Sequence, residues 1–303
     1  PFAGPDRETC GQARVIPPRP QSGDAKGTLP RLIRAFRRDL LSGLPQRLYR
    51  GWMAEYRNPL IHSFFCNDPA LIRLILQDRP GDFPKSDRLA EGLRPLLGDG
   101  VFITNGTQWA RQRRIIDPAF EGGRLRQTFP AIWAAAGAMV DRLEPGETDI
   151  EPLCSHGAAD VIFRALFSLP IEHHVAAQVF AAFRAHQAGQ PLINLAALLP
   201  LPRWMPRPHS RRTRRTADRI RTLIRDLVQA RLAAIAAGDP PDDLATKIMT
   251  TPDPQTGRSF DAAEMTDQVA VFFLAGHETG AAALAWALWL LAAHPDWQDR
   301  VAA

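Results

Sequence analysis

The chain has 303 residues, of which 45% are hydrophobic and 23% charged, and it carries a net charge of +5. This is the composition of a soluble globular chain able to bury a sizeable core, and the charge is too modest to indicate nucleic acid by itself. Cys10, Cys66 and Cys154 are widely spaced with no C-x-x-C pair, which argues against a disulfide framework or a zinc site and fits a reducing cytoplasm.

The chain starts at Pro1, its first methionine is Met53, and it stops at Ala303 just after His294-Pro295 opens a new helical pattern. A longer natural protein is therefore expected. Residues 1–28 are rich in Pro, Gly and charge and read as an extended segment, with no signal peptide or apolar anchor in view. Leu29 to Met53 has helical spacing, with Leu32, Ile33, Phe36, Leu40 and Leu41 on one face. Asn58 to Cys66, with Leu60, Ile61, Phe64 and Phe65, reads as a strand, and Asn67-Asp68-Pro69 starts a helix at Ala70. Ser86 to Ile103 reads as an apolar loop.

Gly106-Thr107-Gln108-Trp109-Ala110-Arg111-Gln112-Arg113-Arg114 comes next. Trp109 and Arg113 are four apart and share a helix face, where an indole N–H and a guanidinium suit an anionic oxygen acceptor such as a carboxylate. An amphipathic surface helix with a half-buried Trp explains the same residues. Helices then follow over Leu125 to Leu143, Glu151 to Phe167 and Glu172 to His186, separated by Pro145-Gly146 and Leu169-Pro170. His156, His173 and His174 have no ligand partners at helical spacing. Proline-rich Leu198 to Pro208 precedes a basic helix, in which Arg211, Arg212, Arg214, Arg215, Arg219, Arg221 and Arg225 accompany an apolar stripe ending at Gly238. A solvated face of a packed helix accounts for it, and the aromatics a nucleic-acid reader needs are absent.

The chain is organised around Asp261 to His294. Asp261 and Glu264 form a capping-box pair, and no proline intervenes before Pro295. About 32 residues at 1.5 Å each make a helix of roughly 48 Å, apolar nearly all round and so expected to be buried. Its centre, Ala275-Gly276-His277-Glu278-Thr279, breaks that pattern with a glycine, an acid and a hydroxyl. A satisfied buried Glu and a Thr bonded back to its own helix would explain it structurally. Alternatively these residues wall a reaction cavity: Gly276 admits a close approach to the backbone, Thr279 turns its hydroxyl away from a distorted turn, and Glu278 relays protons. His277-Glu278 opens a zincin-like H-E-x-x-H, but the fifth position is Ala281. Val269 to Ala293 is long enough to span a membrane, yet Glu278 would lie unpartnered at mid-bilayer.

Ala275-Gly276-His277-Glu278-Thr279 resembles the A-G-x-D/E-T signature of the central helix of cytochrome P450 monooxygenases. Asp243-Leu244, Asp253-Pro254-Gln255-Thr256-Gly257, Phe260 and Glu264 are similar to the family's lead-in to it, and Trp109 and Arg113 match the G-x-x-W-x-x-x-R-R helix that serves the haem propionates. The resemblance implies a mainly α P450 fold with a small N-terminal β-sheet, with 1–303 as one incomplete domain. It implies haem b bound through Trp109, Arg113, Ala275, Gly276 and Thr279, and catalysis by Glu278 and Thr279. Thr279, with Glu278, would help protonate bound O2 so that a C–H bond of a lipophilic small molecule is hydroxylated. Electrons would come from a ferredoxin- or flavodoxin-type donor or a reductase, with Arg111 and Arg114 pointing toward an acidic docking partner. A cytoplasmic monomer without nucleic acid or a membrane segment is expected.

The axial cysteine and its preceding E-x-x-R helix are not in place. Glu91-Gly92-Leu93-Arg94 and Glu121-Gly122-Gly123-Arg124 match E-x-x-R by chance, and both true elements are expected beyond Ala303. The fragment alone is then expected to be inactive. If the natural chain ends near Ala303, a haem-free helical binding or scaffold protein is the alternative, and peroxide use or isomerisation is a third. Candidate substrate-lining segments are Ser86 to Ile103, Phe180 to Leu199 and Val269 to Leu274.

Overall fold

A computed structural model describes residues 34, 48, 50–57, 62–188 and 210–303. The expected extended segment, most of the Leu29 to Met53 helix, the proline-rich stretch and the part of Phe180 to Leu199 beyond Ala188 lie outside the described residues. Met53, expected to close a helix, instead opens strand β1 (Met53–Arg57), which pairs antiparallel with β2 (His62–Cys66) so that Glu55 faces Phe64. The aromatic, alternating text of these runs suits a hairpin better than a helix.

Asp68 caps α1 (Pro69–Arg73) by accepting from the amides of Ala70 and Leu71, and a π-helical turn, Leu74–Asp78, continues it. The expected loop from Ser86 to Ile103 is largely a helix, α2 (Asp87–Leu97), with Pro95 inside its last turn. The remaining early helices are α3 (Gly106–Ile116), α4 (Arg124–Val140), α5 (Ile150–Phe167) and α6 (His174–Ala188). Each falls within a few residues of its sequence expectation. The basic helix, α7 (Arg211–Ala237), starts on a Ser210 cap and ends on Gly238 at φ 82°, a conformation glycine reaches without strain. Short α8 (Leu244–Thr250) leads to α9 (Ala262–Ala293), and α10 (Pro295–Ala302) follows.

The capping box of α9 is complete: Asp261 accepts from the Glu264 amide and Glu264 accepts from the Asp261 amide. From there α9 runs through the core, packing on α5, α7 and α2. Phe273 is the hub, with ring centroids 4.5 Å from Phe163 and 4.8 Å from Phe183. The loop after α2 is fixed to the same helix. Asp267 accepts from the Asp99 amide at 2.8 Å, Gln268 from the Val101 amide at 2.9 Å, and Arg221 donates to Asp267 at 2.6 Å. Gly98, at φ 54°, permits this approach, since a Cβ there would fall on the Asp267 carboxylate.

Burial of α9 is uneven, contrary to the expectation of a helix covered throughout. Met265, Val269, Ala270, Val271 and Phe273 are buried, whereas Ala275, Thr279, Ala282 and Ala283 are exposed, and Trp286 and Leu290 are 50% and 41% exposed. By length and composition α9 could cross a membrane, but its first half is enclosed by protein.

Candidate functional site

The site begins with the middle turns of α9. Ala275, Gly276, Glu278 and Thr279 are exposed, while His277 and Ala281 on the opposite side are buried. The turn is regular α-helix rather than distorted. Thr279 Oγ1 donates to the Ala275 carbonyl at 2.5 Å, a back-bond that relieves its polarity within the helix and leaves the oxygen free to accept. Glu278 Oε1 accepts from Gln187 Nε2 on α6 at 2.6 Å. The close approach at Gly276 is to a neighbouring helix: an added Cβ would lie 3.0 Å from Ile162 Cδ1 on α5.

His277 is 2% exposed, and its Nε2 lies 2.9 Å from Ser155 Oγ of α5, while Nδ1 has no partner. Burial, reinforced by the charge of Arg184, pushes its pKa down and keeps the imidazole neutral. The sequence raised His277 only as a failed zinc ligand. Among the described residues no three His, Cys, Asp or Glu side chains gather to hold a metal. Cys154 is buried on α5, and Cys66 ends the hairpin.

The second part of the site is one face of α3. Trp109 is half-buried and Arg113 exposed, the latter paired with Asp117 at 2.9 Å. A residue missed by the sequence reading joins them. Lys85 Nζ sits 5.5 Å from the centroid of the Trp109 ring and donates to the carbonyls of Val101 and Thr104 at 2.7 and 2.9 Å. Asn105 positions it, accepting from the Lys85 amide and donating to the Lys85 carbonyl. Burial first, and then the Arg113 charge, pull the Lys85 pKa down. Both causes disfavour the charged form of Lys85. The signal available was rarity, since the chain has only Lys26, Lys85 and Lys247 against abundant Arg.

Arg111 and Arg114 do not face a docking partner, and that expectation is corrected. Arg111 reaches Glu264 at 2.5 Å and the Ser259 carbonyl at 3.1 Å, with its guanidinium 5.5 Å from the Phe260 ring centroid. Arg114 grips the fully buried Asp253 at 2.6 and 3.1 Å. Asp253 also receives the Thr256 hydroxyl at 2.8 Å, so one carboxylate closes the turn before α9 and holds α3 against it. The expected lining segment Val269 to Leu274 is also mostly core. Only Phe272 and Leu274 are partly open, and Phe120, 56% exposed, lies 5.9 Å from Phe272.

The structure is thus a mainly helical core crossed by one long helix with an acid–alcohol pair at its midpoint, whose start is tied to the W-x-x-x-R helix through Arg111 and Glu264. The family model described as Cytochrome P450 matches residues 52–303. The chain belongs to the cytochrome P450 family. Among curated relatives, it is 30% identical over 305 residues to cyclooctat-9-en-7-ol 5-monooxygenase of Streptomyces melanosporofaciens, covering 97% of this chain and 63% of that protein. Cytochrome P450 CYP72A616 of Paris polyphylla is 29% identical, over 77% of this chain and 47% of its own length. The chain therefore spans about half to two thirds of the curated relatives it matches. In fold it is similar to the crystal structure of the cytochrome P450DA heme domain, with a TM-score of 0.66 at 19% identity, covering 93% of this chain and 62% of that one.

Proposed function

We propose that this chain forms the distal wall and propionate cradle of a haem-thiolate monooxygenase that hydroxylates a lipophilic small molecule with O2 and electrons from an external redox partner. The observation that carries this is the exposure of Ala275, Glu278 and Thr279 at the midpoint of a helix whose neighbouring positions bury Phe273, His277 and Ala281. One side of this turn is packed while the other presents a carboxylate and a hydroxyl to open space, where a reacting ligand can reach them.

The residues fit a haem. Its two carboxylates match a donor set of the Trp109 indole, without a hydrogen-bond partner among the described residues, together with Arg113 and the lowered-pKa ammonium of Lys85. The axial thiolate is proposed to come from residues after Ala303. Haem bound in this cradle supplies the iron that activates dioxygen. Ala275 and Thr279 supply a small, polar-edged surface beside it. With its proton committed to the Ala275 carbonyl, the Thr279 oxygen accepts a hydrogen bond from water and holds it in place. Glu278, exposed and tethered by Gln187, passes protons inward from solvent. Phe120 and Phe272 offer the apolar contact that a lipophilic substrate needs.

The test uses the full-length protein. Thr279→Ala should keep haem binding, seen as an unchanged reduced carbon-monoxide spectrum, while reducing equivalents are diverted to hydrogen peroxide. Unchanged coupling of electron use to product would count against the assignment. A full-length wild-type protein without any haem spectrum would favour the haem-free scaffold alternative.

A further inference from the structure

The seam between α5 and α9 carries a polar contact that neither packing nor the acid–alcohol pair uses. Ile162 lies against Gly276 and Ala158 against Gly280, whose added Cβ atoms would fall 3.0 and 3.7 Å away. Small residues let the two helices approach closely here. Beside it, Ser155 and His277, 5% and 2% exposed, make a side-chain hydrogen bond of 2.9 Å. The Nδ1 of His277 is buried without a partner. A bare acceptor costs less there than an orphaned N–H, which assigns the Nε2–H tautomer: His277 donates to Ser155 Oγ. On the other side Phe180 of α6 meets the imidazole edge-on at 5.5 Å, and Gln187, two turns along α6, holds the adjacent Glu278.

We infer that His277 is a positioning residue: its bond to Ser155 fixes the rotation of α9 at the one point where rotation decides whether Glu278 and Thr279 face the reaction cavity. This rests on the monooxygenase reading above. A 100° rotation per residue means that a small turn of the helix moves Thr279 off its face as it moves His277 out of reach of Ser155. Leucine in place of His277 would fill the volume, so the polar pair is retained at the cost of desolvation for the direction it imposes.

The experiment compares His277→Leu, His277→Gln and Ser155→Ala in the full-length, haem-loaded protein. Two quantities are read: native-state exchange of the 275–280 backbone amides, and product formed per reducing equivalent. His277→Leu and Ser155→Ala should each speed exchange of those amides about tenfold, as loss of one buried hydrogen bond implies, and should raise peroxide release. His277→Gln, which keeps a donor, should restore both toward wild type. Faster exchange with wild-type coupling, in a protein whose Thr279→Ala variant does uncouple, overturns the positioning role and leaves the monooxygenase reading intact. Identical behaviour of the Gln and Leu variants overturns it as well. Wild-type coupling in Thr279→Ala, or no haem spectrum in the wild type, sinks the underlying reading and the proposal with it.

Discussion

The two faces of α3 carry the same residue type to opposite ends. On the inner face Arg111 and Arg114 close on Glu264 and Asp253, and Gln112, 2% exposed, receives the Thr104 hydroxyl and donates to the Asp99 carbonyl at 2.7 Å. On the outer face Arg113 and Lys85 repel one another across Trp109, and among the described residues the only carboxylate paired with Arg113 is Asp117, one turn along the helix. Charge that is neutralised by buried partners builds the fold. Charge that is crowded with its own sign near the surface is where the haem carboxylates are proposed to sit.

Substitutions should separate the faces. Arg114→Ala is expected to destabilise most, because it strands a buried carboxylate that only the Gln255 amide and the Thr256 hydroxyl would then satisfy. In urea unfolding of the full-length protein, its midpoint should fall well below that of Arg113→Ala; equal midpoints would erase the distinction between the faces. The same pair predicts a pH signature. Its hydrogen bond to Arg114 holds the Asp253 carboxyl far below the usual range. A depressed carboxylate adds stability above its unfolded value, about 3.9, and loses it as pH falls through the folded value. The wild-type urea midpoint should therefore drop on the acid side of about pH 4, and Arg114→Gln should flatten that drop.

Arg111→Ala comes next. Its pair with Glu264 is partly exposed, at 21% and 34%, and a charged hydrogen bond so placed is worth about 1–2 kcal/mol. Because Glu264 also completes the capping box, loss should appear as fraying of the first turn of α9, measurable as faster amide exchange at 262–265 with the core unchanged.

What could be read in advance follows the same division. The caps at Asp68, Asp261 and Glu264, the Gly238 stop and the periodicity of α5, α6 and α7 are local signals, and the helices lie where those signals put them. α2 was hidden because Gly92 and Pro95 imitate a loop, and β1 because its strand form comes from pairing with β2 rather than from its own five residues. Trp109, Arg113, Glu278 and Thr279 were legible because their residue types stand at short, fixed spacings within single helices. Asp253, Lys85 and the Ser155–His277 bond were not, since each depends on a contact between residues far apart in the chain. The roles of Arg111 and Arg114 were misjudged for the same reason: an arginine on a helix does not announce whether a carboxylate waits 139 or 153 residues away.

The smallest effect sharpens the outer face. Arg113→Ala should leave stability within about ±0.5 kcal/mol of wild type, since Arg113 is exposed and its ion pair spans a single helical turn. Its consequence lies in Lys85, whose pKa is lowered first by burial and then by the Arg113 charge. Removing that charge should raise the Lys85 pKa part of the way, with the burial contribution left in place. Isotope-edited NMR of the Lys85 ammonium reads this directly in haem-free protein. Haem added to the wild type should move the same signal in the same direction, because a propionate beside Nζ favours the charged form as surely as loss of a neighbouring cation does. A Lys85 that titrates identically in all three states would mean that Arg113 and Lys85 do not share an anion site, and the cradle would reduce to Trp109 and Arg113 alone.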